Sequence, residues 1–196
     1  AILIITSAAS AQVFSSGNLV VYRVGDGSAA LTNASTAVFL EQYTVGGTLV
    51  GSPIGLPTAG ATAFTAAGNA TSEGFMSLSG DGQFLVLPGY NVATGLTSVA
   101  TSTGTAAPRS VGLLDLNASF TLSTLGTSAY SGGNIRSAYS TNGTDIWTSG
   151  SNQGVHYHVA GSGTTTGNLM TTPTNTRVTT VINGQLYFTS SSGAFV

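Results

Sequence analysis

Short apolar runs, separated by turns rich in Gly, Asn and Asp, recur from residue 19 to residue 189. No window carries apolar residues at i, i+3, i+4 and i+7 between capping residues, so no helix is expected. Scattered Gly, Thr, Ser and Val lower helix propensity throughout. The runs favour strands, which are predicted at 19–24, 38–44, 48–54, 75–79, 83–87, 111–116, 120–125, 135–140, 145–149, 155–160, 177–182 and 185–189. The expected fold class is all-β.

The runs repeat in a fixed setting. Asn18, Glu73, Asn134 and Asn175 each head a strand-like run, and Asp26-Gly27, Asp81-Gly82, Asn142-Gly143 and Asn183-Gly184 follow eight residues later. Such pairs suit two-residue hairpin turns with both central residues at φ > 0. Units are therefore expected near residues 18, 73, 134 and 175. The last two lie 41 residues apart and agree in detail, Ile146-Trp147-Thr148-Ser149 matching Tyr187-Phe188-Thr189-Ser190. That period is close to the roughly 40–50 residues of a four-stranded propeller blade. Excess length in the earlier units falls at 58–71 and 93–108, which read as insertions between strands. The expectation is one domain over 13–196 of β-propeller-like repeats, with three- to four-stranded antiparallel blades. About four to eight blades close a propeller, so this one is expected to be incomplete within the chain. Either the chain is a fragment or another polypeptide finishes the sheet.

The stretches Gly17-Asn18-Leu19-Val20-Val21-Tyr22-Arg23-Val24-Gly25-Asp26-Gly27, Thr71-Ser72-Glu73-Gly74-Phe75, Ser79-Gly80-Asp81-Gly82-Gln83-Phe84-Leu85-Val86-Leu87-Pro88-Gly89-Tyr90 and Asn183-Gly184-Gln185-Leu186-Tyr187 resemble a group of secreted bacterial, propeller-like repeat proteins with no assigned activity. The resemblance spans most of 13–196. It implies export, a repeat fold and a longer precursor, and it carries over no catalytic residue.

Composition narrows the function. Charged residues make up 5% of the chain, against about 25% in ordinary soluble domains, and there is no lysine. A net charge of −2 with four arginines excludes the electrostatic footprint of a nucleic-acid binder and a polybasic membrane patch. With little charge to keep copies apart, partners are expected to be copies of the chain itself. The absence of cysteine excludes disulfides and thiolate chemistry.

Residues 1–12 read in two ways. Ala1, Ile2, Leu3, Ile4, Ile5 and Thr6 form an apolar strand candidate suited to donation to a neighbour. Alternatively, with Ala9-Ser10-Ala11 as a cleavage pattern, the segment is a signal-peptide remnant. Either reading implies export to the cell surface or beyond. The run is too short to span a bilayer.

Chemistry-bearing residues are few. His156 and His158 share one strand face and could begin a metal site, but no third ligand lies nearby in sequence, so an exposed polar face is the preferred reading. Asp26 and Asp81 are explained by turns, where other units carry Asn, and Glu73 by a hydrogen-bonding strand start. Arg136 and Arg177 are repeat equivalents, each expected to pair with carbonyls or a carboxylate between blades rather than to form an anion-binding ring. Asn33, Asn69, Asn117 and Asn142 head N-x-[ST] triplets and are candidate glycan acceptors. No cofactor is expected, nor an enzyme, because the acids and bases form no convincing set. The function expected is an exported structural protein that self-assembles into an extracellular fibre or surface layer. The alternative is a secreted binding module for glycan or protein ligands, with Tyr90, Tyr130, Trp147 and Tyr157 as stacking surfaces.

Overall fold

The structure, a computed structural model, describes residues 14–163, 167–170 and 172–191. It is all-β, built from antiparallel meanders. The first comprises β1 (Leu19–Val24), β2 (Ser35–Tyr43) and β3 (Leu49–Gly55), with β1 and β3 both pairing with β2. A short β4 (Thr65–Ala67) then pairs with the start of β2 and, through Thr65, with Tyr90. The second meander runs β5 (Ser77–Leu78), β6 (Phe84–Tyr90), β7 (Arg109–Asp115) and β8 (Phe120–Thr124). Through β4 these strands form one eight-stranded sheet. The third meander is a separate four-stranded sheet of β9 (Ile135–Ser140), β10 (Asp145–Gly150), β11 (Val155–Val159) and β12 (Asn168–Met170). A hairpin of β13 (Thr176–Ile182) and β14 (Gln185–Ser190) follows. None of these sheets closes on itself.

The second meander is packed on both faces, which explains the unbroken burial of β7 from Arg109 to Leu114. Successive side chains point to opposite sides of a strand. Leu87 and Leu114 join Val38, Leu40, Phe64 and Ala66 in one core layer, against the first meander. Val86, Tyr90, Val111 and Leu113 join Ile135, Ala138 and Ile146 in another, against the third. Phe64 sits in the gap left by two glycines. A Cβ on Gly89 would lie 2.5 Å from its ring, and one on Gly112 would lie 2.6 Å from Phe120, its edge-on partner at 5.6 Å.

Two expectations are corrected. The stretches 58–71 and 93–108 are more than insertions: they carry the wholly buried β4, a 3-10 turn at Val99–Thr101, and the buried Phe64, Val99 and Ala107. Small residues let these segments pack tightly where local propensity gives no signal. The two-residue turn with both φ positive occurs at Asn183-Gly184 (51° and 76°) but not at the other three pairs. Asp26, Asp81 and Asn142 instead accept backbone N–H groups from within their own loops with their side-chain oxygens, an Asx arrangement that supports longer turns. After Asp26 the chain does not turn back until Ser35.

The strand expected at 75–79 shortens because the third meander captures its start. Phe75 bridges Ser137 in parallel, and its N–H donates to the Arg136 carbonyl at 3.0 Å. The Ser77 hydroxyl donates to Ala138 O at 2.9 Å, and Gly80 N–H donates to Ser140 O at 2.9 Å. Ala1 to Thr6 lie outside the described residues.

Candidate functional site

Glu73, Asn134 and Asn175, each just ahead of a meander or the hairpin, bond across the junctions. Asn134 donates its side-chain amide to Glu73 Oε1, which also accepts the Tyr90 hydroxyl at 2.7 Å, while Oε2 accepts Ala67 N–H at 3.2 Å. At the next junction Arg136 Nη1 donates to Asn175 Oδ1 and, at 2.9 Å, to the Thr176 carbonyl. Asn18 donates within its own meander, to Gln42 at 3.0 Å. Burial pushes the Glu73 carboxyl up, against the hydrogen bonds that pull it down. The Arg177 guanidinium reaches Ser191 at 3.2 Å, while its backbone carbonyl accepts the Ser149 hydroxyl across the same junction at 2.7 Å.

Arg109, given no role by the sequence, is wholly buried. Its guanidinium donates to Gly133 O (3.1 and 2.7 Å), Ala107 O (2.9 Å) and Ala100 O (2.8 Å), and lies 5.2 Å from the Tyr90 ring centre. Its planar fork of donors gathers three loop carbonyls behind the second meander. Burial lowers its pKa. A lone Arg after Pro108 carries no pattern that would reveal this.

His156 and His158 are not on an exposed face. They are 4% and 0% exposed, and none of their four ring nitrogens has a hydrogen-bond partner among the described residues. Their cross-strand neighbours on β10 are Thr148 and Ile146, and Ile146 belongs to the core layer shared with the second meander. The Tyr130 ring meets His156 edge-on at 4.6 Å. Burial lowers both pKa values to about 4, with His156 adding to the effect on His158. The imidazoles are held neutral. Among the described residues no group of three or more His, Asp or Glu gathers as metal ligands.

Two of the four aromatics considered as stacking surfaces are core residues, since Tyr90 and Tyr130 are each 0% exposed. Trp147 and Tyr157 face each other on β10 and β11, with ring centres 5.4 Å apart, and both are half-buried. Asn33, Asn69, Asn117 and Asn142 are all exposed. The Asn33 amide donates to Ser98 Oγ at 3.0 Å and that of Asn142 to Asp145 Oδ2 at 2.9 Å.

Apolar surface remains on the outer faces of the first meander and the hairpin. On the first, Leu19, Val21 and Leu49 are exposed around a charged centre, where Arg23 pairs with Glu41 at 2.6 Å and lies over Phe39 at 4.6 Å. The Tyr43 hydroxyl donates to Glu41 at 2.8 Å; this bond, then Arg23, lowers the Glu41 pKa. On the hairpin, Val178, Ile182 and Tyr187 are exposed. A groove of about 560 Å³ opens where the first and second meanders meet, walled by Phe14, Leu19, Met76, Leu78, Leu85 and Leu116.

No family model matches the chain, and no curated protein or solved structure matches it.

Proposed function

We propose that the chain is an exported structural protein of propeller-like blade repeats that self-assembles into an extracellular fibre or surface layer. The observation that carries this reading is the contrast between inner and outer sheets. The second meander is covered on both faces, whereas the first meander and the hairpin each leave large apolar side chains exposed, around the Arg23–Glu41 pair on the first. Sheets inside the chain bury such side chains by stacking on one another. The two open faces differ, so stacking between copies is heterologous, and where the rotation between copies does not close a ring it extends as an open filament. The scarcity of charge leaves little electrostatic repulsion to oppose it. The exposed Asn33, Asn69, Asn117 and Asn142 are available to carry glycan in that setting.

Electron microscopy of the full chain tests the proposal. Filaments or sheets are expected, and Ile182→Lys with Tyr187→Lys should leave soluble monomer with unchanged circular dichroism. A wild type that stays a monodisperse monomer at high concentration overturns the reading.

The half-buried Trp147–Tyr157 pair favours one second reading, a binding module that stacks on a sugar ring. Retention on a glycan array, lost in Trp147→Ala, is the outcome expected of it.

A further inference from the structure

The groove between the first two meanders is a continuation of the core with one wall missing. Phe14, Met76 and Leu85 pack at the edge of the layer containing Val38, Leu40 and Leu87. Across from them Leu19, Leu78 and Leu116 are 55%, 54% and 43% exposed. Three of the large exposed hydrophobics thus line one concavity, whereas single ones scattered over a surface need no explanation. Among the described residues no charged one lines it, and Ser15, Ser16 and Asn18 stand at its rim. Its volume falls within the roughly 300–1,000 Å³ of well-formed ligand sites. The chemistry that fits is a short, uncharged, aliphatic segment of polypeptide.

The chain supplies such a segment. Ile2-Leu3-Ile4-Ile5 is its one run of four consecutive Ile, Leu or Val residues. Thr6 is eight residues from Phe14, a distance of at most roughly 29 Å for an extended chain, and the intervening 7–13 are Ser, Ala, Ala, Ser, Ala, Gln and Val. The rim itself is fixed, because Ser15 N–H and the Asn18 amide both donate to Gln42 on β2, at 2.6 and 3.0 Å. We propose that the groove receives residues Ala1 to Thr6 of a second copy of the chain, whose Ile and Leu side chains complete the open core. This rests on the self-assembly reading and names one of its contacts.

The cysteine-free chain permits a direct test. Full-length Ile4→Cys is mixed with full-length Leu78→Cys under mild oxidation, and the products are identified by mass. A disulfide joining the two different variants is expected, with none between Ile4→Cys and a Val45→Cys control, whose site is 81% exposed on the turn after β2. Leu116→Asp, at an exposed position, should keep the native circular dichroism and reduce the cross-link at least tenfold. If the double variant Ile4→Cys/Leu78→Cys links only within one chain, the segment belongs to its own groove and the proposal fails. If wild type forms filaments but the mixed variants do not link, the groove assignment fails while self-assembly stands. A wild type that remains monomeric overturns both.

Discussion

Asn134 donates its side-chain amide to the carboxylate of Glu73, 61 positions away, and so ties the start of the third meander to the start of the second. The same carboxylate takes the Tyr90 hydroxyl and Ala67 N–H. One acid therefore satisfies donors from three parts of the chain. Removing it strands partly buried donors, each at a cost of about 1–3 kcal/mol. Glu73→Ala is expected to lose about 2–4 kcal/mol of unfolding free energy in urea. Glu73→Gln, which keeps an accepting oxygen, should lose less.

Arg109 is held by carbonyls, with no acid bonded to it. Arg109→Lys retains a charge but not the fork that reaches Gly133, Ala107 and Ala100 together. It should destabilise the protein nearly as much as Arg109→Met, by about 3 kcal/mol or more, because both leave buried carbonyls unpaired. Urea midpoints of the two variants decide this.

The histidine pair sets a pH dependence. Folded pKa values of about 4 lie below the ordinary 6.5, so as pH falls the unfolded chain takes up protons first. Stability is full above about 6.5 and is lost progressively as pH falls toward about 4. The slope is up to about 1.4 kcal/mol per pH unit for each histidine. The urea midpoint should drop between pH 7 and pH 5, and His156→Leu with His158→Leu should flatten that part of the profile.

Phe64 fills the space that Gly89 and Gly112 leave open. Phe64→Ala is expected to cost about 3–5 kcal/mol through the cavity it creates. Gly112→Ala should cost about 1–3 kcal/mol by overpacking against Phe120. Thermal melts that left Gly112→Ala unchanged would show that Phe120 has room to move.

Much of the strand pattern was legible in sequence. β1 and β9 fall at the positions the apolar runs predict, and most other strands shift by only a few residues. Runs of Val, Ile, Leu and aromatics between turn residues carry that information locally. β4 was hidden because Thr65-Ala66-Ala67 becomes a strand only by fitting between β2 and β6. The exposed reading of His156 and His158 failed for a related reason. A strand sequence reveals which side chains share a face, but not that a second sheet lies on it.

Most of the strands, the polar residues ahead of them and the shortage of charge could be read from the chain alone, because these depend on neighbouring residues and on composition. Only the packed chain shows which faces are buried, that Glu73 meets Asn134, that Arg109 binds carbonyls and that the histidines are buried. Those properties arise when residues tens of positions apart exclude water together, and no local pattern encodes that.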